Sequence, residues 1–193
     1  MLQSKSRITG LVRATVYGPD GEVKNFPVHP ILSRFPKVIQ EVAEKLLGIP
    51  VSGRPMVSEN HNIVTDEGDA LIVDMLVTSA TQTAVDNSNG KIGVGTGFSS
   101  ETKGTDALVT QTGSDEEMDA TYPLQKGAFL AANDNTIVYR ATFEAADLDD
   151  TGIDEALLGN GTDTLAYAEI TPAVNVTTAD TLQVDWELTF LGS

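Results

Sequence analysis

From Thr181 to Phe190 apolar and polar residues alternate without a break, Leu182, Val184, Trp186, Leu188 and Phe190 on one side, Thr181, Gln183, Asp185, Glu187 and Thr189 on the other. A period of two is the signature of a strand with one buried and one wet face. A wet face this regular argues against the doubly buried strands of a parallel sheet and for antiparallel pairing. Trp186 sits within the apolar set, so it reads as a core residue rather than an interface anchor. The same alternation predicts strands at 137–143, where Ile137, Tyr139, Ala141 and Phe143 share a face, and at 164–170. It recurs at 11–17, where Val12, Ala14 and Val16 oppose Arg13 and Thr15. Gly18-Pro19-Asp20-Gly21 then supplies a turn, because Pro fixes φ and Gly permits φ > 0. Residues 22–28 are therefore expected to return as the second strand of an amino-terminal hairpin arm.

Two segments carry the helical period instead. After Pro36, Val38, Ile39, Val42, Ala43, Leu46 and Leu47 fall on one face and Lys37, Glu41, Glu44 and Lys45 on the other, until Gly48 and Pro50 stop the helix. A second helix is expected from Thr65 as N-cap, with Asp66 and Glu67 in the first turn, where carboxylates suit the helix dipole. Leu71, Ile72, Val73, Met75 and Leu76 make it apolar almost all round, which places it inside the domain or at a subunit contact. After the turn cluster at 86–90, Lys91–Val94 reads as a short strand entering a glycine-rich bend. The stretch from Phe98 to Pro123 is polar, acidic and aperiodic. It is long for a structureless loop and is expected to be a functional loop, a partner-wrapping segment or partly disordered.

Composition narrows the partners. With 12 Lys and Arg against 28 Asp and Glu, the formal charge of −16 repels polyanions, so duplex nucleic acid is not an expected partner. The absence of cysteine removes disulfides, thiolate metal sites and Cys nucleophiles. No stretch approaches the ~20 apolar residues of a membrane helix, and no signal-peptide pattern opens the chain, so neither export nor a membrane span is expected.

Candidate chemistry is sparse. Gly93-Val94-Gly95-Thr96-Gly97 has the glycines of a phosphate loop but the wrong spacing for a dinucleotide fingerprint, and it lacks the Lys-Ser or Lys-Thr of a P-loop. A tight bend or bulge is expected there. The run from Asp147 to Gly152 begins like an EF-hand, yet Leu158 stands where the bidentate Glu belongs. A solvated acidic loop is the expectation, with a hard cation supported by ligand type alone. His29 and His61, the only histidines, form no zinc spacing, and no GxSxG elbow exists for serine catalysis. The sequons at Asn160 and Asn175 read as chance matches without a secretory signal.

Three segments, Asn62-Ile63-Val64-Thr65-Asp66-Glu67-Gly68, Lys91-Ile92-Gly93-Val94-Gly95-Thr96-Gly97 and Ala179–Phe190, together resemble in order and spacing a group of small structural proteins of tailed bacteriophages and archaeal viruses. The resemblance covers roughly two-thirds of the chain, and the extra helix within Ile31–Arg54 departs from it. It implies a β-sandwich building block of a neck, tail or capsid surface, without catalytic residues. The expected fold is mainly β with two helices, an antiparallel β-sandwich or jelly-roll over 59–193, preceded by a β-arm and amphipathic helix over 1–58. The expected function is that of a non-enzymatic virion subunit, assembled in the host cytoplasm through contacts with itself and other virion proteins. It needs no cofactor and no metal. Val38, Val42 and Leu46 are the expected assembly residues. The alternative is a soluble or fibre-type module that binds a glycan or receptor through the Phe98–Pro123 loop.

Overall fold

The computed structural model describes residues 7–27, 31, 34–47, 53–77, 80–128 and 131–191. Among these residues the elements run β1 (Arg7–Tyr17), α1 (Lys37–Leu47), β2 (Val57–Val64), α2 (Asp66–Met75), β3 (Lys91–Gly95), β4 (Gln111–Glu117), β5 (Leu124–Gln125), β6 (Thr136–Phe143), β7 (Asp150–Gly159), β8 (Thr164–Val176) and β9 (Thr181–Leu191). The strands hydrogen bond into one sheet in the order β4-β3-β7-β8-β2-β1-β9-β6-β5, every pair antiparallel. The sheet curls into a half-barrel. A sandwich of two sheets, or a jelly-roll, is not confirmed: the pairing is continuous, and alternation along a strand reports which face is buried, not how many sheets share the core.

Register shows how one inner face becomes the core. Across the strands Ile92 opposes Leu158, Leu158 opposes Ala166, Val12 opposes Trp186, and Trp186 opposes Tyr139. All of these are buried. Small residues (Ala156, Ala166, Ala168, Ala14) line the inner face of β7, β8 and β1, whereas β9 and β6 carry Trp186, Tyr139 and Phe143, and all join one hydrophobic cluster. Alternating bulk of this kind fills a curved interior at native density. After β4 the chain crosses to β6. The Asp119 N–H donates to the Arg140 carbonyl (2.9 Å) and the Thr142 hydroxyl to the Asp119 carboxylate (2.8 Å), which draws the two ends of the sheet together.

The expected arm is not separate from this body. β1 is paired on both edges, to β2 and β9, so the boundary drawn at residue 58 runs through a single sheet. The turn at Gly18–Gly21 forms as expected, with Gly18 N–H to the Glu22 carbonyl at 2.9 Å and Gly21 at φ +78°. The returning segment is not a strand of a hairpin, however. It makes single bridges only, Tyr17 with Val23 and Asn25 with Pro55, and the buried Phe26 donates to the Arg54 carbonyl (3.0 Å). Pro27, which has no N–H, cannot extend that ladder. Residues 28–30 lie outside the described residues, His29 among them.

β7 and β8 are buried on both faces, which the sequence did not announce. Ala156, Leu158, Ala166 and Ala168 face inward, while Glu155, Leu165 and Tyr167 on the outer face are equally inaccessible. Residues 98–110 lie over them: Phe98 stacks on the Tyr167 ring (centroids 5.9 Å apart) and the Thr164 hydroxyl donates to the Asp106 carbonyl (2.9 Å). The Phe98–Pro123 stretch, expected to be a functional loop, a partner-wrapping segment or partly disordered, instead contains β4 and a cover for the sheet.

Candidate functional site

Helix α1 opens at Pro36, whose carbonyl accepts from Ile39 N–H (2.9 Å) and Gln40 N–H (3.2 Å), and its bounds are those the apolar period predicts. The described residues of its apolar stripe do not face the core. Val38 is 69% exposed, Val42 51% and Ile39 47%, and none belongs to the core cluster. Leu46 stands in the last turn of the helix, but its side chain lies outside the described residues.

α2 also starts as the sequence predicts. Thr65 is the N-cap, its hydroxyl accepting from Gly68 N–H (2.9 Å), and Asp66, Glu67 and Asp69 occupy the first turn. Burial on several sides is not observed: only Gly68 and Leu71 are buried, and Val73, Met75, Leu76 and Val77 are exposed, Leu76 at 82%. A helix this apolar was expected inside the domain or at a subunit contact, and it does not lie inside the domain. It packs instead at the end of β2 and β8, because Gly68 brings its first turn onto the Leu165 carbonyl, where a Cβ would stand 2.0 Å from the oxygen. That close approach seats the first turn, while the apolar residues of the last turn stay exposed.

Beside the exposed end of α2 opens an apolar pocket of about 510 Å³, lined by Met75, Leu124, Ile137, Tyr139 and Phe190, with Asp134 among its polar lining. Tyr139 is 4% exposed, and burial pushes its phenol up to about 12. Asp74, one residue before Met75, is held below the usual carboxylate range by the N–H groups of Gln82 and Thr81, so it stays charged.

The other candidates resolve into structure. The glycine-rich segment forms β3 with a bulge against β4 between Ile92 and Val94. It does meet an anion, which is the chain's own: the fully buried Glu155 carboxylate accepts from Val109 N–H (3.0 Å), Thr110 N–H (3.0 Å) and the Tyr167 hydroxyl. A Cβ at Gly95 would stand 2.7 Å from that carboxylate, so the glycine admits it. Burial, and then the bond to Glu155, raise the Tyr167 phenol. The expected solvated loop from Asp147 to Gly152 instead buries Leu148 and runs into β7, where Asp150 accepts from the Thr112 hydroxyl (2.6 Å), and among the described residues no group of three or more His, Asp or Glu is placed to hold a metal ion. His61 stands on β2, its Nδ1 3.4 Å from the Gly10 carbonyl. Asn160 is a turn residue whose side-chain Oδ1 accepts from Thr162 and Asp163 N–H and whose side-chain Nδ2 donates to the Thr83 carbonyl (2.7 Å). Trp186 is buried, as expected. Glu155 and the Tyr139 pocket went unread in the sequence; the glycine pair at 93 and 95 was the signal for the first, since glycine in a strand marks close approach.

Comparison with protein families, with curated proteins and with solved structures finds no match to this chain.

Proposed function

We propose that this chain is a non-catalytic structural subunit that works by assembly, incorporated in the particle of a tailed virus as a capsid-surface or a neck, collar or tail component. The observation that supports assembly is that Val38, Ile39 and Val42, the described part of the α1 apolar stripe, stand outside the core of their own chain. Removing the exposed parts of Val38, Ile39 and Val42 from water is worth roughly 2–5 kcal/mol, enough to drive association when joined to a second surface. The viral setting rests on the resemblance of the three segments around Asn62, Lys91 and Ala179. The glycan-binding alternative needed a free Phe98–Pro123 loop, and the cover formed by residues 98–110 gives it no specific support.

The test of assembly is Val38→Asp with Val42→Asp, measured by light scattering coupled to gel filtration, with circular dichroism as the folding control. The expected result is a folded monomer; unchanged assembly refutes the role given to α1. The viral setting is tested by quantitative mass spectrometry of purified particles from the source. Abundance near that of the shell protein means a capsid-surface subunit, a small fixed fraction means a neck or tail component, and absence refutes the viral reading.

A further inference from the structure

The chain between β3 and β4 leaves the sheet and returns to it at one place. Gly97, at φ +96°, turns it outward, and the Thr96 N–H donates to the Thr110 carbonyl (2.8 Å), so residues 98–110 form a loop whose two ends are tied together. None of these residues is buried, although Glu155, Leu165 and Tyr167 beneath them are. The loop is therefore held by individual bonds and not by a core of its own. The Asp154 carboxylate accepts from the Phe98 N–H (3.0 Å), and Glu101 accepts from the Glu169 N–H (2.9 Å). The Lys103 carbonyl accepts from the Asp66 N–H at the start of α2 (2.7 Å), and the Lys103 ammonium pairs with Asp69. Between these points the fit is open: a cleft of about 160 Å³ is lined by Ala107 and Leu108 of the loop and by Leu157 and Thr162 of the body.

Glu155 stands apart from the other carboxylates that hold the loop, because it alone among them is buried. One of its oxygens takes the Val109 N–H and the Tyr167 hydroxyl, and the other takes the Thr110 N–H. Successive main-chain amides converging on a carboxylate make an anion nest, and here Gly95 leaves the space for it. We propose that residues 98–110 are a strap that opens and closes as a unit, with Glu155 as the built-in carboxylate ligand that latches it shut. A segment without buried residues of its own is the kind that opens locally while the sheet stays folded. Closed, the strap covers the Tyr167 ring with Phe98 and holds the first turn of α2 through Lys103. Open, it bares that ring and frees the Asp66 N–H, so one buried carboxylate on β7 is felt at α2, whose last turn is exposed. The proposal stands independently of the assembly reading.

The experiment is hydrogen exchange, resolved by residue, on the full-length Glu155→Ala protein in chloride and in acetate of equal ionic strength. Acetate replaces the carboxylate and methylene that the substitution removes. In chloride the amides of Phe98, Val109, Thr110 and Asp66 are expected to exchange about tenfold faster than in wild type, with those of β9 unchanged. Acetate at about 100 mM is expected to slow the same amides about threefold, by binding the closed form alone. Acceleration confined to Val109 and Thr110 overturns the strap as a unit, and equal acceleration in β9 overturns its separate opening. Acetate no better than chloride overturns the latch. Should Glu155→Ala fail to fold, wild type in low urea decides: the four amides are expected to share one opening below that of β9, and exchange only with β9 overturns the proposal.

Discussion

Replacing Glu155 by Gln tests the account of how residues 98–110 are held on the sheet. The carboxylate is fully buried and accepts three hydrogen bonds, two of them from the backbone N–H groups of Val109 and Thr110. Gln keeps the shape but offers one oxygen and one NH₂, so at least one N–H donor faces another donor. A buried donor without its acceptor costs about 1–3 kcal/mol, and the charge-assisted bonds lost with it raise the expected penalty for Glu155→Gln to roughly 2–4 kcal/mol. Tyr167→Phe removes only one donor and is expected to cost about 1.5 kcal/mol. An apolar residue does not repair the site, as it can repair some buried ion pairs, because two of the three donors are main-chain groups no substitution removes. The assay is urea unfolding, read as a lower midpoint at unchanged slope, with hydrogen exchange followed at the Val109 and Thr110 amides. Exchange there is expected to accelerate more than in β9. A Glu155→Gln protein within about 0.5 kcal/mol of wild type, or amides at 109 and 110 as protected as before, would refute the reasoning.

Gly68→Ala should cost roughly 2–3 kcal/mol and loosen α2 from β8, since its Cβ would stand 2.0 Å from the Leu165 carbonyl oxygen; a midpoint unchanged in urea would show that the helix can shift aside. Asp180 feels an upward pull from burial that bonds from Lys24 and from the Thr177 hydroxyl and amide more than offset, so its carboxyl lies below the ordinary 3.8. Its folded value being the lower one, it contributes stability that is complete above 3.8 and lost as pH falls through the folded value, and Asp180→Asn is expected to remove that part of the acid limb of a stability–pH curve. Glu116 has the opposite sign: burial first, then Asp147, Glu117 and Glu144, raise it above 4.5. Glu116→Gln is therefore expected to stabilise the protein at pH 7 by less than about 1 kcal/mol, an advantage that disappears below pH 4.5.

What the sequence made legible were elements whose local signal and burial agree. The bounds of α1, the Thr65 cap, and the inward sets of β6 and β9 follow from period and capping alone. β7 was missed because its ladder to β8 shifts register three times, around Gly152 at φ +80° and again near Glu155 and Gly159, so no alternation survives to be read. Of the two places expected for α2, the inside of the domain is not where it lies, because apolarity all round a helix says that it wants a partner, not that its own chain provides one. The placing of β1 was misjudged for a related reason: side chains specify the faces of a strand, while the strands on its edges are chosen by backbone groups that every sequence shares. Of the candidate surface, the α1 stripe was visible beforehand. The pocket was not, since Met75, Leu124, Tyr139 and Phe190 come from four distant segments that only the curled sheet assembles.

The pairing of β1 with β9 sets a timetable for the newly made chain. Val12 finds its partner in Trp186, 174 residues later, and the ladder between them is among the longest in the sheet. At the usual 5–20 residues per second of synthesis, the first strand waits about 9–35 s before the residues that complete its edge exist. During that interval Val12, Ala14 and Val16 have β2 on one side and an open row of amides and carbonyls on the other. The half-barrel thus forms late and as a unit, clasped by its first and last strands. Any chain stopped short of residue 181 leaves that edge free to pair with the strand of another chain.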